Sequence, residues 1–194
     1  SNDTVSTFGS LTGTNKWAGG VLGGNGFIYG IPLSSTTVLK IDTSNDTVST
    51  FGSLAGSGKW FGGVLSTNES IYCFPALETT VLKITPSSDT TSTFGSLSAG
   101  GSSKWTGGAL APNGKIYGIP RTSSQTLKID PTDDTVSLLA EIIAGSDRYS
   151  GGVLAQNSKI YGITRTATNV LKISPNSNAA FDPDILLSSY VNKI

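Results

Sequence analysis

The chain has 194 residues with 13 basic and 13 acidic side chains, no histidine, no methionine and one cysteine, Cys73. Its 13% of charged residues is about half the share of an ordinary globular domain, and with zero net charge and scattered Lys and Arg it lacks the field that gathers a phosphate backbone, which excludes nucleic acid as a partner. The Ser-His-Asp and Cys-His catalytic arrangements, imidazole zinc sites, the histidine pH switch and an intrachain disulfide all fall away, so the sequence predicts a protein that is not an enzyme and holds no cofactor or metal.

In chain order, Thr4–Phe8 mixes Ser and Thr with apolar residues and reads as a strand. Lys16-Trp17 then introduces a small apolar strand, Gly19-Gly20-Val21-Leu22. Tyr29 lies in the next, Leu39-Lys40-Ile41 in a third, and Asp46 turns into a fourth that ends at Phe51. The succession then recurs. Asp3, Asp46, Asp89 and Asp134 stand in register at spacings of 43, 43 and 45 residues. With them run Trp17, Trp60, Trp105 and Tyr149, the Gly-Gly pairs at 19–20, 62–63, 107–108 and 151–152, and the Leu-Lys-Ile triplets at 39–41, 82–84, 127–129 and 171–173. In the third unit the strands are predicted over 107–111, 115–119, 126–130 and 135–139, with Ala111-Pro112-Asn113-Gly114 as a hairpin turn. From Asn178 the repeat stops. Asp182-Pro183 reads as an N-cap and first helical residue, and Leu186, Tyr190 and Ile194 fall four apart, so 178–194 is expected to be a short amphipathic tail helix packed on the domain. No apolar run approaches the roughly 18–20 residues that cross a bilayer, and no basic-then-apolar signal opens the chain, which predicts no membrane insertion.

Four antiparallel strands about every 40–50 residues is the period of a β-propeller blade. The expected fold is all-β, a propeller over residues 1–177 with repeats near 1–43, 44–86, 87–131 and 132–175. It has four blades of four strands, and the N-terminal strand closes the last blade, which otherwise ends after Val170–Ile173. The rival is a larger ring, built from upstream units or from two chains. The string Lys104-Trp105-Thr106-Gly107-Gly108-Ala109-Leu110-Ala111-Pro112-Asn113-Gly114-Lys115-Ile116-Tyr117-Gly118-Ile119-Pro120, closing with Leu127-Lys128-Ile129-Asp130-Pro131, resembles β-propeller repeat proteins of unicellular algae and related eukaryotes. It is distantly similar to WD40, kelch and lectin propellers, without a WD dipeptide or a kelch signature. The resemblance implies the fold and leaves the function open.

In such a blade the loop entering strand one and the loop between strands two and three share a face of the ring. That face collects Lys16-Trp17, Lys59-Trp60, Lys104-Trp105 and Arg148-Tyr149, with the second-to-third loops that begin at Leu33, Ala76, Arg121 and Arg165. A cation beside an aromatic in each unit can hold a sugar or small anion. The same residues also suit a packing wedge whose Lys stem lies over the Trp. Arg121, Arg148 and Arg165 depart from the repeat and make one side of the face basic. The leading expectation is an interaction scaffold that binds a protein partner through this face; the alternatives are a multivalent lectin and, remotely, a hydrolase. The four repeated aspartates are expected to make Asx turns rather than to act as a catalytic pair. Asn2, Asn45 and Asn68 head N-glycosylation sequons, expected on the opposite face, and Cys73 is expected to be buried and inert.

Overall fold

The computed structural model describes residues 2–98, 101, 103–141 and 145–176; the expected tail helix lies outside the described residues. Among the described residues fifteen strands form antiparallel sheets, each a meander in which chain neighbours pair. The first sheet holds β1 (Trp17–Leu22), β2 (Ile28–Pro32), β3 (Val38–Asp42) and β4 (Thr47–Phe51). The second holds β5 (Trp60–Leu65), β6 (Ile71–Pro75), β7 (Val81–Thr85) and β8 (Thr90–Phe94). The third holds β9 (Trp105–Leu110), β10 (Ile116–Pro120), β11 (Gln125–Asp130) and β12 (Thr135–Glu141). The fourth has three strands, β13 (Tyr149–Leu154), β14 (Ile160–Thr164) and β15 (Leu171–Ile173). Every strand predicted for the third unit is present to within two residues at its start and end. Its hairpin turn closes as expected, with the Gly114 N–H donating to the Ala111 carbonyl at 2.9 Å.

Burial across a sheet follows the sequence. The second strands of the two middle sheets, Ile71–Pro75 and Ile116–Pro120, are buried throughout because a sheet lies against each face. The fourth strands, such as Thr90-Thr91-Ser92-Thr93-Phe94, keep Ser and Thr in solvent. Consecutive sheets meet through their first strands, β1 on β5, β5 on β9 and β9 on β13.

The Gly-Gly pair explains how they come so close. Each first strand bulges between its Trp or Tyr and the second glycine of the pair. Gly62, in the β5 bulge, has φ +73°, and a Cβ on it would stand 3.6 Å from the Gly107 backbone of the next sheet. The second glycine is a socket. Ile31 projects onto Gly63, Phe74 onto Gly108 and Ile119 onto Gly152, each from the second strand of the preceding sheet. All three projecting side chains are fully buried.

Ion pairs tie the outer parts. Lys40 in β3 reaches Asp89 of the next sheet at 2.6 Å, and Lys83 in β7 reaches Asp134 at 2.7 Å. These hydrogen bonds raise both lysine pKa values above the ordinary value. Asp89 and Asp134 therefore serve as inter-sheet acceptors at left-handed turn positions, with φ +51° and +54°. The local turn bond expected of the repeated aspartates is made one residue earlier in the first unit, where Asn45 Oδ1 accepts the Thr47 N–H at 3.2 Å.

The closure expected of the N-terminal segment is not made. Thr4–Phe8 pairs with no strand, and Val5 is 98% exposed. Gly9, directly after the segment, packs on Val48 of β4, just as Gly52 packs on Thr91 and Gly95 on Val136. The segment thus follows the path that, elsewhere, the end of one sheet's fourth strand takes over the next sheet. The sheets form an open arc and do not close into a ring.

Candidate binding face

The two loop sets predicted to share a face are hydrogen-bonded to each other. Within sheets, the Leu33, Ala76, Arg121 and Arg165 amides donate to the carbonyls of Lys16, Lys59, Lys104 and Arg148 at 3.0, 2.8, 2.9 and 2.8 Å. Between sheets, the Lys59, Lys104 and Arg148 amides donate to the carbonyls of Leu33, Ala76 and Arg121 at 2.8, 3.3 and 3.0 Å. A belt of backbone bonds results. It uses the main chain of residues 33, 76 and 121 and makes no demand on their side chains.

The aromatic residues of the face lie beneath this belt. Trp60 and Trp105 are buried and Trp17 is half-buried. Their indole N–H groups donate to the carbonyls of Thr80, Gln125 and Thr37, each at 2.8 Å. Tyr149 keeps the role through its hydroxyl, which donates to the Asn169 carbonyl at 3.1 Å. The buried rings of Trp60 and Trp105 offer no open platform for a stacked sugar.

The cations divide. Lys59 is buried, and its ammonium donates to the carbonyls of Ser35 and Gly56 at 2.8 and 2.9 Å, so it clasps the preceding sheet's loop to its own. Lys104 is buried with its ammonium 3.1 Å from the Leu77 carbonyl. Burial lowers both lysine pKa values, opposed by the Glu78 carboxylate. Lys16, beside half-buried Trp17, caps the Leu11 and Gly13 carbonyls at 3.0 Å each. Arg148 is buried.

Arg121 and Arg165 come together on Asp147, a residue the sequence reading did not single out. Arg121 Nε pairs with Asp147 Oδ1, and a terminal nitrogen of Arg165 lies 3.5 Å from Asp147 Oδ2. The hydrogen bond from Arg121 holds the Asp147 carboxyl below the usual carboxylate range, with the Arg165 charge adding to the effect. Of the three arginines expected to form a basic side, Arg148 is within the fold, Arg121 is largely covered and partly neutralised, and Arg165 is the one that stands well into solvent, with half its side chain exposed. The signal for Asp147 was its place directly before the Arg-Tyr pair, where it points at the loop that carries Arg121.

On the opposite side, Asn68 donates through Nδ2 to the Tyr72 hydroxyl at 3.0 Å and to the Pro131 carbonyl at 2.9 Å. A glycan on that nitrogen would remove one of these bonds, whereas Asn2 and Asn45 stand exposed. Cys73 is buried, as expected, and burial pushes its thiol pKa up. Among the described residues no group of three or more His, Cys, Asp or Glu could hold a metal ion, and no helix is long and apolar enough to cross a membrane.

No family model and no curated protein matches the chain. Solved structures do. A streptogramin B lyase superposes with a TM-score of 0.67 at 13% identity, covering 87% of this chain and 58% of that one. A catalytically inactive histidine-to-alanine variant of virginiamycin B lyase from Staphylococcus aureus, solved with quinupristin, gives 0.63 at 12% identity over 88% and 60%. An auxiliary nutrient binding protein from Bacteroides ovatus gives 0.61 at 16% identity over 86% and 40%. These neighbours are β-propeller proteins, so the arc is built from propeller-like sheets. The chain spans 58% of the length of the streptogramin B lyase.

The comparison corrects one expectation. The absence of histidine and the single cysteine had excluded an enzyme, yet this fold carries a lyase among its neighbours. Missing side chains remove particular chemistries and not the enzyme class as a whole.

Proposed function

We infer that the chain is a propeller-type binding module that docks a protein partner through the face built by its second-to-third loops. One observation carries the reading: the belt of backbone bonds fixes residues 33, 76, 121 and 165 through their main chain, so that the exposed side chains of these loops stand at fixed points and differ from unit to unit. A repeated scaffold with unlike side chains at equivalent, rigidly held points is what a specific contact surface requires. Leu77, half exposed on the second sheet's loop, and Arg165, half exposed on the fourth sheet's, are the protruding groups. A partner that fits them presents an apolar residue to Leu77 and a carboxylate to Arg165.

The expected result is that the double variant Leu77→Asp, Arg165→Glu fails to retain the proteins that the wild-type chain retains on an affinity column. Lys159→Glu, a change at the opposite rim, retains them. With the purified partner, the double variant weakens binding at least about tenfold. Equal retention by both variants, with unchanged circular dichroism, rules this face out.

A further inference from the structure

The three internal joints between sheets repeat one socket contact, and each end of the arc carries one half of it. At the fourth sheet, Ile163 occupies the position of Ile31, Phe74 and Ile119; those three are fully buried on the next sheet's glycine, whereas Ile163 is 52% exposed. At the first sheet, Gly20 occupies the position of the socket glycines, and a Cβ placed on it would meet only its own sheet, Ile28 at 3.5 Å and the Tyr29 carbonyl at 3.8 Å. The arc therefore ends in a projection without a socket and begins with a socket without a projection.

The remaining joint contacts are split the same way. The first two internal joints pair a third-strand lysine with the next sheet's aspartate, and here Lys172 is exposed at one end and Asp46 at the other. Asn68 and Tyr72 direct their polar groups to the Pro131 carbonyl of the next sheet. Their counterparts Asn157 and Tyr161 make the same Asn-to-Tyr bond that Asn68 makes to Tyr72, and both Asn157 and Thr43, the counterpart of Pro131, are exposed. The backbone completes the match. Among the described residues β15 has no fourth-strand neighbour, and Val170 beside it is 63% exposed where Val38 and Val81 are fully buried. Thr4–Phe8 has a fourth strand's sequence, lies unpaired, and is already placed beyond the first sheet, where a preceding sheet's fourth strand would run.

We propose that the two ends of the arc are the halves of one head-to-tail interface, and that a second copy of this chain docks there. Ile163 of one copy seats on Gly20 of the next, and Thr4–Phe8 of the second copy pairs along β15 of the first. The register of β3 on β4 sets the new ladder: Val170 opposite Phe8, Leu171 opposite Thr7 and Ile173 opposite Val5, as Val38 faces Phe51, Leu39 faces Thr50 and Ile41 faces Val48. The interface is heterologous, so two copies that bond at both ends form a closed ring. They would carry twice the present four sheets, within the range of about four to eight found in propellers.

The test is the solution mass of the full 194-residue chain, by size exclusion with light scattering up to about 100 μM, for wild type, Ile163→Asp and Gly20→Leu. Both substitutions fall at solvent-open positions of the single chain, and circular dichroism with the melting midpoint confirms that each variant folds. Wild type is expected at twice the 20.0 kDa of one chain, and each variant alone should dissociate at a concentration at least about tenfold higher. Mixed, the two variants keep one intact joint, the Ile163 of Gly20→Leu on the Gly20 of Ile163→Asp, and should recover association. A wild type that stays at one chain mass overturns the proposal, and so does association that neither variant weakens or that mixing fails to restore.

Discussion

Trp105→Ala is expected to destabilise the protein by about 3–5 kcal/mol, because it empties a fully enclosed site and removes a donor that the Gln125 carbonyl cannot replace from water. Trp105 is 2% exposed and packs in the cluster with Tyr72, Phe74, Ile116 and Leu127, so the loss falls on the joint between the second and third sheets. Trp17→Ala supplies the internal comparison. The indole bond is the same length, 2.8 Å to Thr37, but the ring is only half-buried because no sheet precedes the first. Its loss should amount to about 1–2 kcal/mol. Urea denaturation of both variants measures the difference; equal losses would mean that the two aromatic positions experience the same surroundings and that the first sheet is covered in solution.

Gly108→Ala is the second large effect. An added Cβ would collide with the Phe74 ring and with the backbone carbonyl of Tyr117, which is held in the β9–β10 ladder and has no room to retreat. Overpacking of a close-fitted joint costs about 1–3 kcal/mol, and a backbone obstacle places this case toward the upper end. Gly20→Ala, at the equivalent place in the first sheet, meets nothing closer than 3.5 Å and should leave the denaturation midpoint of the single chain within error. The contrast isolates the socket role from the general strand penalty of glycine, since both residues sit at the same register of a first strand.

Much of the fold was legible because each repeated residue has one dominant physical role. Trp17, Trp60 and Trp105 each wedge under a loop, Gly-Gly allows the bulge and the socket, and Tyr with Leu-Lys-Ile fills a strand covered on both faces. The periodicity that locates strands says less about what happens at the ends. Thr4–Phe8 looks like a fourth strand in composition, and the sequence alone could not decide whether its partner is this chain's last sheet or another sheet altogether. That choice depends on the curvature accumulated over three joints, which no single residue encodes.

The candidate face was legible in outline and altered in detail. Its two loop sets were correctly placed together, since antiparallel connectivity alone decides which turns share an edge. The burial of Lys59, Lys104 and Arg148 was harder to read, because a cation next to an aromatic has the same sequence whether it faces solvent or clasps carbonyls. Asp147 was missed for a related reason: its partner Arg121 is 26 residues away, and only the contact between the third and fourth sheets brings them together. The repeated aspartates were assigned a local bond, whereas Asp89 and Asp134 accept lysines from the preceding sheet at sequence separations of 49 and 51 residues.

The open arc is the claim on which the account turns, and backbone amide hydrogen exchange of the chain, diluted until its solution mass is that of one copy, tests it most directly. Strands β6 and β10, enclosed on both faces, should exchange slowest, while the amides of Thr4–Phe8 should exchange at the rate of an unpaired chain. Protection of Thr4–Phe8 equal to that of Thr47–Phe51 in the single chain would contradict the account, because it would place this segment in a ladder and close the ring within one molecule.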